Sequence, residues 1–375
     1  MDVKYIKIIM GLYTIIICTV ISFGAESFYN TAEEIGDSLI ENMPYEMERS
    51  FYELSGGKPR FSEILKLKPN DLINLSLNYL SKGFKAPLKI IAEAIIAAAL
   101  LGAAKNITPC LSEKEGGMVF KMIAVLCISG ILFSPVINSI KTGIKAAEDA
   151  NTFIAMLIPT ISAVMLSLGM PTTASAYSLG VIAICNMVSG LLCKIALPFL
   201  KLYLALGFSG AVSGRKEITA VGNSIKSFIA WFLGFIMFLF TGFLSLQSFV
   251  GTATDNLATK TAKMAISGFV PIIGSAVSGA FNMAESCLKI IKSSLGIVGI
   301  AIVVISLLHP VLNAVLWYCT CKMSLFVFEM LGVSEMGEFI KICSEAMKFV
   351  LSLLIAYGVM VIISLGTAVF IGAGG

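Results

Sequence analysis

Apolar residues along this chain come in nine long runs, separated by short polar bursts rather than spread at a fixed period. The runs are Pro87–Ala104, Val119–Ile140, Thr152–Gly169, Ala174–Cys193, Ile195–Gly210, Ser227–Val250, Ile266–Met283, Ser294–Tyr318 and Met347–Ile371. A helix needs about 20 apolar residues to cross the ~30 Å hydrocarbon core of a bilayer, and a spanning helix satisfies its own backbone hydrogen bonds. Each run therefore reads as a membrane helix or part of one. Lys194, Pro198 and Lys201 interrupt the stretch from Ala174 to Gly210, which is either two short spans or one long broken one. The expected fold class is all-α: a polytopic membrane helical bundle of about seven to nine spans, some of them broken or re-entrant.

The pattern changes before Ala86. Residues 1–25 carry Lys4 and Lys7, then an apolar core from Ile8 to Phe23, then small residues at Ser22 and Gly24. That order reads as a signal peptide, or as an uncleaved N-terminal anchor. Residues 26–85 hold ten acidic and seven basic residues, so they form a separate polar region. "TAEE" at Thr31–Glu34 is a capping box that starts a helix to about Asn42. Pro44, Gly56, Gly57 and Pro59 break the pattern, and Asn70 or Asp71 caps a second helix that Gly83 ends. Few large apolar side chains are present, so this small helical, extracytoplasmic region is expected to rest on the membrane face or on a partner. Residues 86–375 form the transmembrane domain.

Composition agrees with the pattern. Charged residues are 13% and hydrophobic residues 57% of the 375, against roughly 25% charged in soluble proteins. The mean hydropathy is +0.91. A net charge of +4 without a basic cluster gives no footprint for nucleic acid. The nine cysteines lie outside the polar region, so they read as packing residues rather than a disulfide framework. His309 is the single histidine, which argues against a zinc site at Cys319 and Cys321. No Walker A loop, Gly-x-Ser-x-Gly or His-Glu-x-x-His is present, so no enzyme and no cofactor are expected.

Charges between the runs suggest an orientation. With 26–85 outside, the loop holding Arg215, Lys216 and Lys226 falls inside, and the acidic link with Glu329, Glu335 and Glu338 falls outside. The separation of Pro159 from Pro198 equals that of Pro271 from Pro310, which hints at an internal repeat of the kind found in transporters.

Several residues are candidates for a pathway or for packing. Glu93 lies one turn past Lys89, either as a pathway carboxylate or as half of an ion pair. Lys194 and Lys201 flank Pro198 on one face, either lining a polar cavity or reaching to an interface. His309 and Pro310 sit deep in an apolar run, where Pro310 frees a carbonyl one turn earlier. "TAKMAISGFVPIIGSAVSGAF", Thr261 to Phe281, has Pro271 at its centre and small residues such as Gly274 and Ser278 at i, i+4. It reads as a broken or re-entrant helix packed closely against its neighbours.

The order of Thr261-Ala-Lys263, Phe269-Val-Pro271, Gly274, Lys292-Ser-Ser294 and Gly296–Gly299 resembles the stage III sporulation protein AE family of endospore-forming bacteria. That resemblance implies a membrane subunit of a mother-cell-to-forespore transport complex, in the outer membrane around the engulfed forespore. The partners it implies are the other stage III A sporulation proteins, among them an ATPase and ring-forming subunits, and a forespore-side partner across the intermembrane space. The role would be that of a membrane base or conduit. A reading from the residues alone stays beside it: a permease moving a small solute through broken helices near Pro159 and Pro271.

Overall fold

The computed structural model describes residues 30–55, 57, 60–65, 69–107, 115–213, 215, 217–218, 220–243, 274–330 and 337–370. The helices are α1 (30–41), α2 (Tyr45–Ser55), α3 (Phe61–Ile64), α4 (Pro69–Gly83), α5 (Lys85–Ile107) and α6 (Glu115–Ser167). They continue as α7 (Pro171–Leu191), α8 (Leu197–Ser213), α9 (Ala220–Phe243), α10 (Gly274–Met330) and α11 (Gly337–Phe370). Among the described residues the fold is an all-α bundle, and five helices are long and apolar enough to cross a membrane.

That number follows from fusion of the apolar runs. α6 carries Val119–Ile140 and Thr152–Gly169 in one helix of 53 residues, straight through Pro135 and Pro159. α10 carries Ser294–Tyr318 in one helix of 57 residues that passes through Pro310. α7 and α8 are joined without a break by a π-helical turn, Leu192–Ala196. Pro198 has no N–H for the carbonyl of Lys194, and the wider turn just before it absorbs that mismatch. The polar residues Lys141–Asn151 do not interrupt α6, because each backbone N–H still finds its i−4 carbonyl.

Helix ends follow their sequence signals in part. Gly169 ends α6 with φ of 74°. The Gly169 N–H donates to the Leu166 carbonyl at 2.9 Å and the Met170 N–H to the Met165 carbonyl at 3.1 Å. This is the Schellman arrangement, and only glycine adopts that backbone without strain. Pro171 then opens α7 at a position where no N–H is needed. α4 likewise opens on Pro69 and ends on Gly83. Thr31 lies inside α1 rather than at its cap. α2 follows directly after Pro44, whose carbonyl accepts from the N–H groups of Met47 and Glu48.

α10 lies at the centre, against α6, α11, α5 and the short helices α2–α4. A Cβ on Gly296 would meet Val369, one on Gly358 would meet Leu307, and one on Gly337 would meet Leu325, so α10 and α11 run antiparallel. A Cβ on Gly299 would meet Leu157, while Lys145 and Asp149 line one cavity with Ser306 and His309, so α6 is antiparallel to α10 as well. Two polar ties fix the outer helices to α11. Tyr177 Oη donates to the Ser364 carbonyl at 3.2 Å, and Lys226 Nζ lies 2.9 Å from Glu345 Oε2.

The loop holding Arg215 joins α8 to α9 at the same end of the bundle where α11 begins, since Gly207 faces Ile342 and Lys226 meets Glu345. The charge-based orientation had put that loop and the link before α11 on opposite sides. The difference arises because α10 takes the described part of the run Ile266–Met283 and the run Ser294–Tyr318 into one helix, which removes a crossing between the loop and the link.

Gly207 allows α8 to approach α11, since a Cβ there would sit 2.6 Å from Ile342 Cγ2. Ile342 is β-branched and stiff. Gly207→Ala is expected to destabilise the protein by about 1–3 kcal/mol through overpacking. Gly234→Ala, where nothing lies within 4 Å, is expected to be neutral or to stabilise by about 1 kcal/mol. Thermal unfolding in detergent checks the pair, and equal transitions for both variants would refute the close approach.

Candidate functional site

One cavity of about 340 Å³ gathers charged side chains from three helices. α6 contributes Thr142, Lys145, Ala146 and Asp149, spaced three or four apart and so on one helical face. α10 contributes Ser306, His309 and Pro310, and α2 contributes Glu46, Met47 and Arg49. The polar N-terminal helix thus closes a groove between the two longest helices of the bundle.

Asp149 is the buried charge of this site, 6% exposed. Lys145 Nζ lies 2.9 Å from its Oδ1. Its Oδ2 is buried with no hydrogen-bond partner among the described residues. A buried carboxylate oxygen without a donor is costly, so it marks a place for water, a proton or a ligand amine. Arg49 and Glu46 form a looser pair at 4.0 Å. Counting Glu46 and Asp149 against Arg49 and Lys145, the charges of the lining cancel.

His309 meets Tyr79 of α4 edge to face, with ring centroids 4.9 Å apart at 74°. Pro310 has no N–H to offer the Ser306 carbonyl, while Ser306 Oγ donates back to the Ile302 carbonyl at 2.7 Å. On the far side of α6, Asn151 Nδ2 donates to Asn186 Oδ1 of α7 at 3.0 Å. The cavity wall is therefore tied to α4 by an aromatic contact and to α7 by a hydrogen bond.

The sequence model of the Stage III sporulation protein AE family matches residues 58–374. The chain belongs to that family. It is 22% identical over 254 residues to the Stage III sporulation protein AE of Bacillus subtilis (strain 168), covering 67% of this chain and 64% of that relative. Less than two thirds of the relative's length is thus spanned. No solved structure matches. Family membership gives the protein a role in sporulation, and its apolar helices make it a membrane protein.

The other candidate residues of this family member lie apart from the cavity. Glu93 of α5 sits 3.8 Å from Lys89, its side chain 43% exposed. Pro159, Lys194, Pro198 and Lys201 are exposed on the outside of α6, the π turn and α8. Gly274 opens α10 and Ser278 lies in its second turn. Thr261–Ile273, with Pro271, lies outside the described residues, and so does any comparison of Pro159 with Pro271. Of the candidates, the cavity brings together His309 and Pro310.

Sequence reasoning passed over Lys145, Asp149, Glu46 and Arg49. A signal was present: Lys145 and Asp149 are four apart between two apolar runs of one helix. Nothing in α6 itself shows that α2 covers this pair. Lys292 was also missed, and it is 1% exposed in α10.

Removing one partner of a buried ion pair costs about 3–5 kcal/mol, and less where one partner keeps solvent. Lys145 is 58% exposed while the Asp149 side chain is 8% exposed. Lys145→Met is expected to cost about 1–3 kcal/mol, and Asp149→Asn less, because it removes the buried charge itself. Thermal unfolding of both variants in detergent gives the order, and a larger loss for Asp149→Asn would refute it.

Proposed function

We propose that this protein is a membrane base of the assembly that moves material from mother cell to forespore during sporulation. Its place would be the outer forespore membrane. Its partners would be the other stage III A proteins, including the ATPase and ring-forming subunits, and a forespore-side partner. Family membership supports the process. No chemistry of an enzyme is assigned to the chain, and an ATP-driven step falls to the ATPase.

The observation that carries the base reading is how the N-terminal helices sit. Met43, Met47, Phe51 and Phe61 are buried, which holds α1–α3 firmly against the bundle. The opposite side presents Tyr45 at 72% and Tyr52 at 57% exposure, next to exposed Glu41 and Glu46. Exposed tyrosines on a rigid polar surface favour protein contacts, because they supply area at small entropic cost. A bundle that anchors such a surface at the membrane suits the holding of soluble subunits.

A permease is the second reading, and the cavity with the unpaired Asp149 oxygen favours it. The two readings separate in one strain set. Under the base reading, Tyr45→Ala with Tyr52→Ala keeps the protein in the membrane, abolishes its recovery with the other stage III A proteins, and lowers spore yield by at least about tenfold. Asp149→Asn then leaves spore yield close to wild type. The opposite pattern, with the tyrosine variant normal and Asp149→Asn sporulation-defective at normal protein level, would replace the base by the permease.

A further inference from the structure

Charge is absent from four long stretches of this chain: residues 150–193, 227–254, 293–321 and 349–375 contain no Asp, Glu, Lys or Arg. A lysine bounds each of them: Lys194, Lys226 and Lys348 bound three, Lys292 and Lys322 bound 293–321, and 150–193 begins after Asp149, the partner of Lys145.

Lys145, Lys194, Lys226 and Lys348 lie in one band of the bundle, about 10 Å deep from Lys194 to Lys201 at ~1.5 Å per residue. A void of about 10 Å³ is enclosed by Gly143 and Ile144 of α6, Ala196 and Leu200 around the π turn, Ile229 of α9, and Phe349, Val350 and Leu353 of α11. Residues around so small a void share a level of the bundle. Lys141, Lys145, Lys194, Lys201, Lys226 and Lys348 each lie within three residues of one of them, less than one helical turn of about 5.4 Å. Five of the six are exposed, and Lys226 is 37% exposed beside Glu345.

On one side of this level the helices carry no charge until Lys292, Lys289 and Glu285 of α10, beyond the contact of Gly296 with Val369. From Ala150 to the end of α6 at Ser167 is a rise of about 27 Å, and from Phe349 to the end of α11 at Phe370 about 33 Å, at ~1.5 Å per residue. Both match the ~30 Å hydrocarbon core. The outer residues there are apolar, for example Leu179, Phe238, Ile355 and Ile362, exposed by 74%, 72%, 51% and 39%. Trp231, 63% exposed and stacked on Phe235 at 5.5 Å, stands near the lysine level, where interfacial tryptophans are found. On the other side the same helices carry exposed Lys322, Glu329, Glu338 and Lys341. A candidate span of 43 residues, such as Leu288–Met330, is about 65 Å long and overruns one bilayer about twofold.

We propose that the six lysines form a girdle that marks one boundary of the bilayer and that four of them, Lys141, Lys194, Lys201 and Lys348, bind the phosphates of anionic lipid headgroups, while Lys145 and Lys226 stay with Asp149 and Glu345 and the charge-free half of the bundle crosses the hydrocarbon. Each of the four stems lies along the apolar surface while its ammonium reaches the headgroup layer. A lysine near an anionic surface contributes about a fivefold preference, and several acting together give strong selection over zwitterionic lipid. The proposal concerns where the bilayer sits and which lipid it selects, and it holds for a base and for a permease alike.

The test uses the full chain in two measurements. The protein is reconstituted in vesicles of phosphatidylcholine and phosphatidylglycerol at equal ratio, extracted, and its retained lipid counted by native mass spectrometry. The wild type should retain phosphatidylglycerol. The variant Lys141→Gln, Lys194→Gln, Lys201→Gln, Lys348→Gln should lose at least about tenfold of it, while the matching Lys→Arg variant keeps it. Equal retention by the Gln variant and wild type would overturn the girdle. The second measurement changes no lysine. In a Trp317→Phe protein, Trp231 fluorescence should be quenched more by bromines near the glycerol backbone than by bromines near the chain ends. The reverse order would overturn the placement of the bilayer, whatever the stability of the Gln variant.

Discussion

Backbone hydrogen bonding is the constraint on which this architecture depends. In apolar surroundings a free N–H or carbonyl has nowhere to go, so helix continuity outweighs local interruptions. α6 runs through two prolines and a block of charged residues, and α10 runs through Pro310. Ahead of Pro198 the ladder widens into a π turn instead of breaking. Pro135, Pro159, Pro198 and Pro310 modulate the helices they lie in, while Pro44 and Pro171 stand where one helix gives way to the next.

Continuity fixes where side chains meet. Two helices of more than fifty residues, running antiparallel, bring positions near 145 of α6 beside positions near 308 of α10. Without an aqueous driving force, helices in a membrane associate through close packing and a few polar ties. Gly207 and Gly299 let neighbours approach, while Tyr177 with Ser364 and Lys226 with Glu345 lock the register. The polar faces left over at mid-height are covered from outside by α2, and the result is a charged cavity closed by a segment that looks detachable in the sequence.

The proposed function rests on that division of surfaces. The apolar half suits a membrane, and the N-terminal helices give a rigid polar surface beside it. An apolar bundle with such a surface beside it is the form that the base proposed above would require. The cavity beneath the cap is the one place where a buried carboxylate, a histidine and a proline-opened turn converge.

By itself the sequence determined the class: the apolar runs, the polar segment before Ala86 and the helix-ending glycines Gly83 and Gly169 all act locally, through burial and backbone preference. The family was legible only as a resemblance, carried by an ordered set of residues between Thr261 and Gly299. His309 and Pro310 were legible as candidates because a histidine and a proline stand out in an apolar run. Their partners were not, because Lys145, Asp149, Glu46 and Arg49 are unremarkable until helices distant in the chain are placed together. Hydropathy also could not tell a polar break between two spans from a polar band across one long helix, since both look alike along the chain. Only the tertiary structure decided that, because the backbone ladder fixes continuity while neighbouring helices decide which polar residues face water, protein or the membrane boundary.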